Sequence, residues 1–213
     1  MAKTFDEICT FEVLYKSYMT ARRGKRKKLS TAQYVENALM LTERLVYILR
    51  TVSYIPSKFE TFFVYEPKKR LVQAPAFVDK VVQHGLVDNY LYEVITRSFI
   101  PANCASQIGK GVLFGLNCLK WDMSDYWRKN KTTEGWVLKA DVRHFFASID
   151  HDILKAKLRK KVGDEKIFRL MCTYIDTSTD GLPLGYQTSQ LLALLYLDEF
   201  DHFVKEPLRI KYY

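Results

Sequence analysis

The stretch from 136 to 151, WVLKADVRHFFASIDH, changes character at a single acidic residue. Residues 136–142 alternate between apolar and polar positions, which predicts a half-buried strand ending near Asp141. Phe145 and Phe146 then follow where a turn is expected. A strand that ends on a carboxylate, with bulky aromatic side chains just beyond it, needs either a structural or a chemical reason.

Two interpretations of Asp141 follow from this stretch alone. A carboxylate after a strand is most often a helix cap or a turn residue. Alternatively it is a metal ligand, because Mg²⁺ prefers a few carboxylate oxygens together with substrate phosphates, and a strand end fixes such an oxygen rigidly. In that case the two phenylalanines form a wall against a substrate.

The charge balance points to a polyanionic partner. The chain has 33 Lys and Arg against 24 Asp and Glu, a net charge of +9. The run RRGKRKK at 22–28 holds six of these basic residues, and without them the balance is +3. The run is either a solvated loop or an electrostatic contact to nucleic acid phosphates; its basic residues are Arg22, Arg23, Lys25, Arg26, Lys27 and Lys28.

Cysteine usage and hydropathy favour a cytoplasmic protein with no membrane segment. The four cysteines are far apart and contain no CxxC pair, so neither a disulfide framework nor a zinc site is predicted. No apolar run approaches the roughly 20 residues that span a bilayer.

Periodicity and turn residues predict a mixed helical and strand architecture. We expect a β-hairpin between Pro56 and Pro75 with a basic tip, a glycine-containing turn around Lys110, and a final strand at 208–213. The expected helices lie at 5–19, 31–51, 77–98, after Gly115, 151–162, 164–175 and 188–204. Asp150 is expected to cap the helix at 151, and Asp152, Asp198 and Asp201 to lie on exposed helix surfaces.

Four segments resemble the ordered sequence blocks of reverse transcriptases. These are EPKKRLVQAPAFVDKVVQHGL, SQIGKGVLFGL, LKADVRHFFASIDHDIL and GLPLGYQTSQLLALLYLDEFDHFVKE. Leu184 stands where group II intron and retroviral enzymes have Gln, and Gly185 to Gln190 is similar to the pattern of diversity-generating retroelement enzymes. In that group the hydrophobic residue is associated with error-prone copying; bacterial defence-associated and retron-like enzymes are other possible relatives.

The resemblance implies a nucleotide site built around Asp141. Asp141 would be the first of three carboxylates that bind two Mg²⁺ ions, with the Val142 carbonyl as a further metal contact. The amides of His144 and Phe145 would face the triphosphate. Phe146 would be the steric gate that excludes a ribose 2′-OH.

The resemblance also implies contacts outside this strand. Lys68 and Arg70 would pair with the phosphates of the incoming nucleotide, for which the planar Arg fork is suited. Gly185 and Gln190 would contact the nascent base pair or the template. The aromatic-x-Asp-Asp block that carries the other two acids in the family is not present in residues 1–213, so we expect this chain alone to be inactive.

The resulting expectation is an α+β fold of the right-hand polymerase type, with fingers, a partial palm and no thumb. Residues 1–50 would form a basic helical N-terminal extension, 51–105 and 151–184 the fingers, and 106–150 and 185–213 the palm. The partners would be an RNA template, a DNA or RNA primer and a dNTP, with an accessory nucleic-acid-binding protein possible. Self-association through the exposed final strand is a further expectation, and a non-catalytic RNA-binding module is the alternative function.

Overall fold

A computed structural model describes residues 2–25, 28–67 and 69–213, apart from the side chains of Arg70 and Leu71. Helices dominate this part of the chain, and its one sheet is a two-stranded hairpin, so the fold is compatible with the α+β class. The elements are α1 (Phe5–Ile8), α2 (Phe11–Ala21), α3 (Leu29–Glu36), α4 (Ala38–Arg50), β1 (Glu60–Val64), β2 (Arg70–Ala74), α5 (Phe77–Leu86), α6 (Tyr92–Thr96), α7 (Val112–Asn130), α8 (His151–Lys161), α9 (Glu165–Ile175) and α10 (Gln187–Lys205).

The N-terminal helices belong to the same core as the central helices. Leu14 and Tyr18 of α2 are almost fully buried, as are Leu86 of α5 and Ile175 of α9, and all four lie in one apolar cluster. Gly85 allows α2 and α5 to approach closely, because a Cβ at this position would stand 3.2 Å from the Leu14 Cδ2 atom. Burial of a continuous apolar face is the main stabilising term for helices of this length.

Helix starts follow the expected capping chemistry. Asp150 accepts a hydrogen bond from the Ile153 amide at 2.9 Å, which confirms the predicted cap of α8. Asp164 caps α9 through the Ile167 amide, and its other oxygen accepts from the Phe5 amide at 2.9 Å. This second bond ties the start of the chain to α9.

The predicted hairpin and most of the predicted helices are confirmed. β1 and β2 pair antiparallel with Phe62 opposite Val72. The expected helix at 77–98 is divided by a π-helical turn at Val87–Leu91 into α5 and α6. The expected helix at 31–51 is likewise divided at Asn37.

Two predicted strands are wrong. Residues 132–142 carry no regular secondary structure, and residues 208–213 form no strand either. A strand is stable only when its backbone groups bond to a neighbour, and among the described residues β1 and β2 pair only with each other. The apolar alternation at 136–142 therefore does not produce a strand, because no neighbouring strand in the described part of the chain pairs with it. Since residues 208–213 form no strand, the expected self-association through a final strand loses its structural basis.

The predicted exposure of Asp198 is also wrong. Its side chain is 6% exposed, on the inner face of α10. Oδ2 accepts a hydrogen bond from the Ser98 hydroxyl at 2.7 Å, and the Lys161 ammonium lies 3.6 Å from the same oxygen. These partners offset part of the cost of burying a carboxylate, although the buried Oδ1 atom accepts no hydrogen bond from the described residues.

α7 and the segment that follows it contrast with the rest of the fold. None of the residues of α7 is buried, and Trp136 and Leu138 are among the most exposed side chains of the protein. The C-terminal residues touch this region through Tyr212, whose hydroxyl donates to Asp125 at 2.9 Å. No helix among the described residues is long and apolar enough to cross a bilayer.

All four cysteines are free thiols. Cys9 is buried, and burial raises the pKa of its thiol to about 12, so this thiol is a packing group. The other three are half-buried.

Candidate nucleic-acid interface

The segment from Gly181 to Tyr186 joins parts of the chain that are distant in sequence. Gly181 has a φ of +57°, and a Cβ there would overlap the backbone of Phe146 and Ala147. The Leu182 amide donates to the Phe146 carbonyl at 2.8 Å. Glycine is therefore required at 181 both for the left-handed backbone and for this close approach.

The other end of the segment lies against the hairpin. A Cβ at Gly185 would overlap the carbonyl oxygen of Gln73 in β2 and stand 2.9 Å from Pro75. The ring of the adjacent Tyr186 is buried and lies 4.8 Å, centroid to centroid, from Phe59 just before β1. The hairpin base is thus fixed to the start of α10.

Phe145 and Phe146 form a short 3-10 turn at Phe145–Ser148, reached through His144, whose φ is +51°. Both rings are half-buried against the main core, with centroids 5.8 Å apart in an edge-to-face arrangement. Phe145 also contacts Tyr196 of α10. Phe146 is therefore held next to the Gly181 turn, within the region that also carries Gly185.

Asp141 and Val142 lie in the irregular segment before this turn, and both are exposed. The expected strand end is absent, so nothing in the described structure fixes the Asp141 carboxylate rigidly. The described residues contain no group of three or more His, Cys, Asp or Glu arranged to hold a metal ion. By themselves these residues do not form a two-ion magnesium site, and the metal role of Asp141 and Val142 stays a prediction.

The hairpin tip is only partly described. Lys68 lies outside the described residues, and Arg70 is placed as the first residue of β2 without its side chain. The neighbouring Lys69 ammonium stands 4.7 Å from the centre of the Phe63 ring, within the range of a cation–π contact. The tip therefore combines an ammonium group with an aromatic surface.

The basic run continues from the end of α2. Arg22 donates to the Tyr18 hydroxyl at 2.9 Å and stacks over the same ring, so its side chain is anchored to the core. Arg23, Lys25 and Lys28 follow on the turn, whereas Arg26 and Lys27 lie outside the described residues. Gln190 is exposed in the first turns of α10.

A cavity of about 290 Å³ lies where the basic run, α5 and the start of α10 meet. Burial lowers the pKa of the Lys80 amine, and the nearby charges of Lys25 and Lys28 lower it further. The lining residues are Lys25, Lys80, Gln83, His84, Gly185, Tyr186 and Gln187.

Sequence reasoning missed Lys80, Gln83 and Asp79 in α5. Asp79 is fully buried. Its carboxylate accepts hydrogen bonds from the Tyr54 hydroxyl and from the Ser57 amide, the latter at 3.2 Å, and these bonds connect the segment before β1 to α5. Burial raises the pKa of this carboxyl against the opposing effect of those hydrogen bonds. Asp79 and Gln83, four residues apart and both buried, are a usable signal, since polar side chains are buried only with partners or for a function.

Comparison with known proteins supports a reverse-transcriptase-like relationship. Group II intron-encoded protein LtrA of Lactococcus lactis subsp. cremoris is 21% identical over 189 residues, which is 80% of this chain and 29% of the relative. Protein YkfC of Escherichia coli K12 is 25% identical over 158 residues, which is 67% of this chain and 40% of that protein. No protein-family model matches the chain. The chain thus spans well under half the length of these relatives.

Proposed function

We propose that residues 1–213 are the fingers and part of the palm of an RNA-directed DNA polymerase. The supporting observation is the convergence at 181–186, where the hairpin base at Gln73, the Phe146 turn and the start of α10 meet. These three segments come from three of the sequence blocks that resemble reverse transcriptases. The similarity to a group II intron-encoded protein supports the same class.

In the proposed reaction a primer 3′-OH gives up its proton to solvent water and attacks the α-phosphate of a dNTP. A bond forms between the primer oxygen and the α-phosphorus, the bond to the bridging oxygen of the β-phosphate breaks, and pyrophosphate leaves. Magnesium ions would supply charge neutralisation, with Asp141 and the Val142 carbonyl as two of the ligands. The remaining carboxylates would have to come from outside the described residues.

The other roles are proposed by position. Lys68 and Arg70 on the hairpin would hold the triphosphate, together with the amides of His144 and Phe145. Phe146 would lie beneath the sugar, and Gly185 and Gln190 would face the base pair or template. The membership of the diversity-generating subgroup, suggested by Leu184, is also part of this proposal.

Primer extension by the longest polypeptide that the gene encodes tests the proposal. With an RNA template, a DNA primer and Mg²⁺, Asp141→Asn should abolish extension, because a metal-binding charge is lost while the side chain keeps its size. Phe146→Ala should raise ribonucleotide incorporation relative to deoxyribonucleotide incorporation. Asp180→Asn, on an exposed turn, is the matched control and should extend normally.

Absence of primer extension by the unmodified protein would contradict the polymerase proposal, and two further results would contradict the roles given to Asp141 and Phe146. Unimpaired extension by Asp141→Asn would show that the carboxylate is a turn residue, and unchanged sugar discrimination by Phe146→Ala would show that this ring only packs. Residues 1–213 alone should bind at most one Mg²⁺ weakly and not extend a primer. Extension by this chain unaided would require other acids within it.

A non-catalytic RNA-binding module is the second candidate. It is favoured by the exposed and irregular setting of Asp141, and by the absence of a metal-ligand cluster among the residues described. In this case the Asp141→Asn variant would bind RNA as strongly as the unmodified protein, and no form of the gene product would extend a primer.

A further inference from the structure

The cavity beside Gly185 is built from three elements that carry complementary chemistry. Lys25 comes from the turn after α2, Lys80 from α5, and Gly185 and Gln187 from the start of α10. The N-terminus of this 19-residue helix places the positive end of its dipole at the cavity. Two ammonium groups and a helix N-terminus at one cavity favour an anion.

Gln83 gives an independent indication of a missing ligand. Its side chain is 1% exposed, and its Oε1 atom accepts a hydrogen bond from the Gln187 amide at 2.8 Å. Its Nε2 atom has no hydrogen-bond partner among the described residues. A buried amide donor without a partner costs free energy. Because Gln83 also lines the cavity, an acceptor oxygen that reached this donor from the cavity would be stabilised.

The acidic groups near the cavity are already engaged. Asp79 bonds to Tyr54 and the Ser57 amide, and Asp88 lies 3.1 Å from the His84 ring nitrogen and 3.5 Å from the Gln187 side-chain nitrogen. Glu60 is also close enough to affect Lys80. Within the described part of the chain, neither Lys25 nor Lys80 has a carboxylate at salt-bridge distance.

We propose that this cavity binds a phosphate group of a single-stranded nucleic acid, held by Lys25, Lys80 and the Gln83 amide. The proposal rests on the proposed function and refines it, because it places the strand between the basic run and the start of α10. A strand is favoured over a free nucleotide because Arg23 and Lys28, close to Lys25 in sequence, add basic side chains beyond those that line the cavity, as a polyanion requires. Lys25 of the basic run is then part of the binding site and not only of a solvated loop.

Binding of a fluorescent twelve-nucleotide oligo(U) RNA to residues 1–213 tests this proposal without requiring catalysis. Fluorescence anisotropy across a salt series gives the slope of log affinity against log salt. Removing one phosphate contact should reduce the magnitude of this slope by about 0.7 for a single strand. We expect Lys80→Gln and Lys25→Gln each to weaken binding severalfold at low salt and to flatten the slope.

Lys16→Gln is the matched control, since Lys16 is exposed on α2 and its loss changes the net charge by the same amount. Gln83→Glu keeps an acceptor for the Gln187 amide but replaces the free donor by a negative charge, so it should weaken binding more than Lys16→Gln. Thermal unfolding of each variant separates lost binding from lost folding. Equal effects of Lys80→Gln, Lys25→Gln and Lys16→Gln, or no RNA binding by the unmodified chain, would overturn the proposal.

Acetylation of lysines followed by mass spectrometry distinguishes a strand from a nucleotide. Oligo(U) should protect Lys80 and Lys25 from acetylation, and millimolar dATP should not. Protection by dATP without protection by RNA would assign the cavity to a nucleotide and overturn the strand proposal. Failure of primer extension in the complete protein would refute the polymerase while leaving these binding results unchanged.

Discussion

At the scale of single residues, Gly185 is the position where the hairpin and α10 depend on each other most directly. A Cβ there would overlap the Gln73 carbonyl oxygen, a backbone atom that cannot rotate away. We expect Gly185→Ala to lower the free energy of unfolding by about 1–3 kcal/mol, the usual cost of overpacking. The midpoint of urea unfolding measures this change.

Gly163→Ala provides the control for this substitution, because a Cβ at 163 would meet no atom within 4 Å. Its effect should stay within about 0.5 kcal/mol, as for ordinary surface changes. If both variants unfold at the same urea concentration, the hairpin is not held against the Gly185 turn in solution.

At the scale of elements, His202 connects the end of α10 to the loop after α6. One ring nitrogen lies 2.8 Å from the Glu206 carboxylate and the other 2.8 Å from the Ser98 carbonyl oxygen, with the Asp198 carboxylate 3.6 Å away. The hydrogen bond with Glu206 makes the largest contribution and the bond with Ser98 the next largest, and together they raise the pKa of His202 above 6.5. The charged ring donates to both oxygens.

This raised pKa gives stability a definite pH dependence. The stabilisation is fully present below the unfolded pKa and is lost as the pH rises through the higher folded value. Urea unfolding between about pH 5.5 and about pH 8.5 should show the protein becoming less stable with rising pH in this window. His202→Gln should remove that part of the dependence; an identical pH profile for the variant would show that the ring does not bind a proton more tightly when folded.

The elements predicted correctly are those whose signals are local. α8 and α9 each begin at an Asp that caps them, and α10 shows a long apolar periodicity, so sequence was sufficient. The strand predicted at 136–142 is absent, because apolar alternation is a local signal whereas a strand also needs a hydrogen-bonding partner elsewhere in the chain. The cavity could not be predicted for the same reason, since Lys25, Gln83 and Gly185 are far apart in sequence and meet only through packing.

At the scale of the whole molecule, the exposed apolar surface is concentrated on α7 and the segment after it. All three tryptophans of the chain lie there, with exposures of 69% for Trp121, 53% for Trp127 and 104% for Trp136. Tryptophan emission of residues 1–213 should therefore be red-shifted, close to that of indole in water, and readily quenched by acrylamide. Dilution over a hundredfold range should leave the spectrum unchanged for an isolated chain.

A concentration-dependent blue shift would instead show that copies of the chain cover this surface. Exposed apolar surface of this extent is unusual for a monomer. In the longest gene product, a blue-shifted and protected spectrum would indicate that residues outside 1–213 pack against α7.

The irregular segment between α7 and the Phe145 turn has a consequence for protease digestion. Residues 133–144 are all exposed, and Lys139 and Arg143 lie in a stretch without regular secondary structure. Trypsin needs a locally extended substrate, whereas the many basic residues of α8 are held in a helix. Brief digestion should therefore cut first at Lys139 or Arg143, about two thirds of the way along the chain, and the two fragments should stay associated through the core shared by α5, α9 and α10.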